Sequence, residues 1–304
     1  MRLAFVGQQV YFHYMALEAP TDGVEPRFVD LQAGAVREQL DAFAPDVVVV
    51  FRPELLEPGM LADLDAVTIG FLTEPLPRPG RPSHPDLETR LGYLRAADPA
   101  NFDRIVSYDP YFLETVDPIV PVWRSLPLPV GDSLFADVRP ASGTPRALFT
   151  GRATPHRDGF LDPVKHDFPV VHLAHGVSDD RLVGFMADSD VGINLHNEPY
   201  PNYENRVSVF LAAGLLVISE TLSPRWGLVP GVDYVEIAQP WELWEVLVQL
   251  RRAPDAFRTM RLNGRRKAER FRASALWPPL AREAVADVLA FGSARRGAPS
   301  VAVP

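Results

Sequence analysis

The stretch 195–220, "LHNEPYPNYENRVSVFLAAGLLVISE", decides how the chain is read. It leaves a strand-like run, crosses a polar segment, turns apolar at helical spacing and ends in the strand-like "LLVIS". Tyr203, Val207, Phe210 and Leu211 fall on one helical face, which predicts core positions. Gly214 stands at the expected helix end, where only glycine enters the left-handed region cheaply. Asn202 or Asn205 is the expected N-cap. Arg206 is the odd residue, because a cation in the first turn opposes the helix dipole. An anion bound there reverses that sign, since helix N-terminal N–H groups and a guanidinium both favour phosphate. The competing reading is a capped helix whose Arg206 pairs with Glu204 or Glu198 in solvent.

The same alternation extends in both directions. Strands are predicted at 2–7, 26–31, 46–51, 66–72, 104–108 and 119–123, with helices at 35–44, 54–64, 87–97 and 110–116. "DVVVVF" (46–51) is a continuous β-branched run, as expected of a strand buried on both faces. The Pro/Gly/Ser-rich "RPASGTP" (139–145) reads as a linker. The rhythm restarts with strands at 147–151, 169–174, 191–196, 215–219 and 234–238, and helices at 178–189 and up to Ala213. A helical region at 240–272 and a last helix near 279–291 follow. The expected fold class is α/β, two Rossmann-like lobes with parallel sheets. Ligands of such sheets sit at the carboxyl ends of the strands. The predicted domains are 1–138, 139–278, a helix at 279–292 packing back on the first lobe, and a disordered tail at 293–304.

Composition narrows the function. The 304 residues are 47% hydrophobic and contain no cysteine, which excludes disulfides and thiolate chemistry. No apolar run approaches the ~18 residues that span a membrane, and no signal peptide is visible, so a soluble cytoplasmic protein is expected. Residues 1–137 carry 10 arginines against 21 acids, whereas the remainder holds 20 basic residues against 18 acids. The first half is therefore a poor partner for nucleic acid, and the second suits an anionic ligand. The nine basic residues of 251–272 are interrupted by Leu262, Met260 and Phe271, and are read as the solvated face of amphipathic helices. His172 and His175 are three apart in a strand, which points them to opposite faces. With no H-E-x-x-H motif, no metal site is expected.

A second candidate is "LFTGRATPHRDG" (148–159), where a strand ends in Gly151. Arg152 and Arg157 follow in a turn-rich loop that could bracket a pyrophosphate, or simply face solvent. In the first half, "GQQVYFHY" (7–14) lacks G-x-G-x-x-G. His13 there is either an acid/base or sugar-binding group or a half-buried ring among aromatics. Glu74 in "LTEPLPR" (72–78) either binds an acceptor hydroxyl, acts as a base, or is a turn acid.

These segments resemble the second lobe of GT-B glycosyltransferases of group 1 (GT4-like), in the branch similar to spore-maturation CgeB-type proteins. "FTGRATPHR" (149–157) is similar to a family strand ending in F-x-G-R with a basic residue five positions on. "NRVSVFLAAGLLVIS" (205–219) is similar to the family's N-x-R-x-F-E-x-x-A-x-G-x-x-x-I-S, and "FDRIVSYDPYFLE" (102–114) to a first-lobe segment. The resemblance implies an interlobe cleft and a nucleotide-diphosphate sugar donor. It also implies an unidentified acceptor, no further cofactor, no metal and retention of configuration. It assigns the donor to Gly151, Arg152, Arg157, Asn197, Asn202, Glu204, Asn205, Arg206 and Ser208, and the acceptor side and catalysis to His13 and Glu74. The family's ribose-binding glutamate corresponds to Val209, and a second glutamate to Pro201. Glu204, Glu198 or Glu220 would then take the ribose, or the chain is a non-catalytic binder of the same fold.

Overall fold

The computed structural model describes residues 1–174, 176–177 and 179–295, with backbone only at 179 and 180. The chain forms two compact units, Pro129–Arg272 and the flanking Met1–Leu128 with the chain from Ala273 onward.

Among the described residues, the first unit holds a six-stranded sheet. Its strands are β1 (Arg2–Gly7), β2 (Glu25–Asp30), β3 (Val47–Phe51), β4 (Val67–Leu72), β5 (Arg104–Ser107) and β6 (Val122–Ser125). All pairings are parallel, in the order β2-β1-β3-β4-β5-β6. Val47 to Phe51 are all buried, as a central strand covered on both faces requires. Among the described residues, the helices of this unit before residue 129 are α1 (Gln9–Phe12), α2 (Val36–Phe43), α3 (Pro85–Ala96) and α4 (Leu113–Val116). The helix expected at 54–64 is absent; a short 3-10 turn, Pro53–Leu55, stands there, because Pro58-Gly59 breaks the segment. β6 begins after Pro121, three residues later than expected.

The second unit repeats the plan with β7 (Ala147–Thr150), β8 (Val170–Leu173), β9 (Val191–Asn194), β10 (Leu216–Ser219) and β11 (Val235–Glu236). Among the described residues these form a parallel sheet in the order β11-β10-β9-β7-β8. Its helices are α5 (Pro155–Lys165), α6 (Asp179–Ala187), α7 (Asn205–Ala212), α8 (Pro240–Arg252) and α9 (Arg258–Ala268). A Cβ on Gly192 of β9 would lie 2.3 Å from the Phe210 ring. That glycine therefore lets α7 settle onto the sheet with its first turn over the carboxyl end of β9. Gly214 takes φ 72 beyond α7, as expected of a helix-terminating glycine. The basic run 251–272 is not wholly solvated: Arg261 is buried, its Nε donating to the Gly214 carbonyl at 3.0 Å.

The last helix, α10, runs from Ala273 to Phe291, six residues earlier than expected, with Pro278 and Pro279 inside it. Trp277 anchors it among Phe5, Phe51 and Phe71, ring centroids 5.0 to 5.9 Å away, and its indole N–H donates to the Met15 carbonyl at 2.7 Å. Burying that ring and satisfying its donor outweigh the helix bonds the prolines forgo. Beyond α10, Arg295 is buried in an ion pair with Asp103 at 3.0 Å. The rest of the segment read as a tail, 296–304, lies outside the described residues. Among the described residues, no helix is long and apolar enough to cross a membrane.

Candidate functional site

Strand order reverses at β7, whose neighbours are β8 on one side and β9 on the other. The gap outside the carboxyl ends of β7 and β9 is thus the second unit's topological switch point, the usual ligand position in such sheets. Gly151 follows β7 there, and Leu195 and His196 follow β9.

Two arginines converge on this point. Arg157, only 3% exposed, donates from Nε to the carbonyls of Leu195 at 3.1 Å and His196 at 3.2 Å, and from Nη1 to the Arg152 carbonyl at 3.0 Å. Arg206, 7% exposed, donates from Nη1 to Asn194 Oδ1 at 2.9 Å and the Leu195 carbonyl at 3.2 Å. Each guanidinium carbon lies within 5.4 Å of the Phe149 ring centre, inside cation–π range. Gly151 makes the convergence possible. Its φ is 144, and an added Cβ would stand 3.1 Å from both Arg157 Nη1 and Arg206 Nη2. His172 Nε2 lies 2.7 Å from the Gly151 carbonyl and steadies that turn.

One carboxylate serves both cations: Glu204 Oε2 is 2.9 Å from Arg206 Nη2 and Oε1 is 3.5 Å from Arg157 Nη2. Burial foremost, and then the positive charge of Arg206, push the Arg157 guanidinium down to about 10 from its ordinary value.

The structure corrects several expectations. Arg157 is not in a loop but in the first turn of α5, where the Thr154 hydroxyl caps the helix by accepting from its N–H at 3.3 Å. Arg206 does pair with Glu204, yet the pair is not in solvent. Neither Asn202 nor Asn205 is the N-cap of α7; Glu204 holds that position without a capping hydrogen bond, and Asn205 is the first helical residue. Asn202 Oδ1 accepts from the Tyr203 N–H at 2.6 Å. Ser208 is buried, with its hydroxyl 2.5 Å from the Tyr203 hydroxyl rather than in the site. Arg152 remains exposed at the rim, donating to Asn197 Oδ1 at 3.0 Å. Val209 is buried in the core.

The sequence reading missed a second polar layer. Glu220 Oε1 lies 2.8 Å from His156 Nε2, and its Oε2 accepts from the His196 N–H at 2.6 Å. His196 Nε2 faces the Thr221 carbonyl at 2.9 Å, which fixes the hydrogen on that nitrogen. Burial lowers the imidazole's affinity for a proton. Asn194, an amide inside a buried strand, was the available signal for this layer; its Nδ2 donates to Ser219 Oγ at 2.8 Å.

In the first unit the His13 ring packs edge-on against Phe28 of β2 at 5.3 Å. Glu74, after β4, pairs with Arg90 at 3.1 Å and reaches Arg52 at 3.8 Å. Strands β2 and β4 are three spacings apart, roughly 14 Å, so the two residues occupy different places on the sheet edge. Among the described residues, no group of three His, Cys, Asp or Glu could hold a metal; His175 lies outside them.

With this geometry the chain has the GT-B fold, two parallel-sheet α/β lobes as in known glycosyltransferases. It is similar to the beta-glucosyltransferase of phage T4, with a TM-score of 0.58 and 11% identity over 94% of this chain and 99% of that one. It is also similar to HepE from Anabaena in complex with UDP and glucose, at 0.54 and 12% over 95% and 99%. A third solved structure, sucrose-phosphate synthase from Thermosynechococcus elongatus, gives 0.54 and 12% over 94% and 99%. At these identities the likeness shows the fold alone. No family model matches the sequence, and no curated protein matches it significantly.

Proposed function

We propose that the chain is a glycosyltransferase of the group-1 type, moving a sugar from a nucleotide-diphosphate donor to an acceptor hydroxyl. The observation that carries this reading is the pair of buried guanidiniums, Arg157 and Arg206, converging over Gly151 at the switch point. Fixed cations in a partly desolvated place stabilise the charge that develops on a departing diphosphate, and do so without reorganising. Arg152 at the rim adds a third positive group, so the leaving group is stabilised by arginine in place of a metal ion. Asn197 is assigned to the donor through its hydrogen bond to Arg152. His13 and Glu74 are assigned to the acceptor side. Retention of configuration follows from the resemblance of the two motifs to the group-1 enzymes.

The test is release of nucleoside diphosphate from a panel of UDP-, GDP- and dTDP-sugars in the presence of EDTA. Slow hydrolysis of one donor, unchanged by EDTA, is expected. A non-catalytic binder is the second reading, favoured by Val209 standing buried where the related enzymes carry a ribose-binding glutamate. Nucleotide binding without release of sugar from any donor, with acceptor extracts supplied, would support it.

A further inference from the structure

Glu204 holds an unusual position. It is the residue before the first turn of α7, where a carboxylate ordinarily accepts from the helix N–H groups, yet it makes no capping bond. It faces Arg157 and Arg206 instead, one oxygen to each, in the geometry a phosphate would adopt. The arginines do not depend on it for their places. Arg157 is held by three backbone carbonyls and Arg206 by Asn194 and the Leu195 carbonyl. Glu204 is the more exposed member, with 22% of its side chain accessible against 4% and 8% for the arginines. Its backbone is extended, so a side-chain rotation moves the carboxylate without disturbing the helix.

We propose that Glu204 is a displaceable internal anion that competes with phosphate for the paired arginines. Its carboxylate occupies the phosphate position in the free protein and swings out when a diphosphate enters. This rests on the diphosphate reading of the same site. Displacing it costs every ligand the same, so it lowers the affinity for any phosphate rather than choosing among them.

Calorimetric titration of the whole chain with pyrophosphate and with orthophosphate tests this, using wild type and Glu204→Gln. Removing the competing charge should tighten pyrophosphate and orthophosphate binding by a similar factor, about tenfold. Weaker or unchanged pyrophosphate binding in Glu204→Gln, with wild type still binding, overturns the proposal and leaves the diphosphate reading standing. No binding by either protein overturns both. A crystal of wild type with pyrophosphate is the check that needs no variant. The Glu204 carboxylate should have left hydrogen-bonding reach of both arginines; pyrophosphate bound with that carboxylate still on them overturns the proposal.

Discussion

Arg157 and Arg206 come from different helices, α5 and α7, yet each places one guanidinium nitrogen 3.1 Å from the point where a Gly151 side chain would begin. Two buried cations this close repel one another, and the structure compensates with carbonyl oxygens and the Glu204 carboxylate they share. That concentration of charge at a strand's carboxyl end makes sense for an anionic ligand.

Gly151→Ala should destabilise the protein and weaken nucleotide binding together. The new Cβ meets both guanidiniums, and φ 144 is a conformation alanine rarely adopts. A cost of about 1–3 kcal/mol is expected, seen as a lower urea midpoint. Gly159→Ala is the control, since that glycine lies within α5 with open space around it. It should raise stability by up to ~1 kcal/mol and leave binding alone. Equal effects of the two substitutions would contradict this account of Gly151.

His196 predicts a pH dependence. Burial holds its folded-state proton affinity below the ordinary value of 6.5. As pH falls through 6.5 the unfolded chain takes up a proton that the folded chain refuses, so stability falls with acidification. Wild type should lose more thermal stability between pH 7 and pH 5 than His196→Gln does. Parallel melting curves against pH for the two proteins would show that His196 contributes nothing.

Arg295→Ala should cost unit Met1–Leu128 about 3 kcal/mol, because it strands Asp103 as a buried charge. Arg295 pairs with Asp103 at 3.0 Å and also donates to the carbonyls of Leu61, Leu64 and Ala66. Urea unfolding measures this directly, and an unchanged midpoint would refute the role.

The strands were legible because burial on both faces writes itself as β-branched runs, as in Val47–Phe51. Gly214 was legible because helix termination needs a left-handed residue; Arg152 and Arg157 stood out because they follow a strand end, and Arg206 because it is a cation in a helix's first turn. What could not be read depended on distant partners. Arg295 finds Asp103 across 192 positions, and no local pattern signals it. The early start of α10 depends on the pocket that takes Trp277, while Pro278 and Pro279 argue locally against a helix. The start of α5 was readable and misread: Thr154-Pro155 is a cap followed by proline at the first helical position. Glu204 is different again. Its charge was plain, but that it bridges two arginines rather than capping its helix depends on α5 lying beside α7.

The central claim is that Arg157 and Arg206 form a diphosphate site, and calorimetric titration with UDP, GDP and dTDP tests it most directly. At least one nucleotide should bind wild type, and Arg206→Ala should weaken it by roughly 1.5–3 kcal/mol, the worth of a charged hydrogen bond. No binding of any of the three at millimolar concentration would contradict the claim. So would unchanged affinity in Arg206→Ala with its circular dichroism spectrum intact.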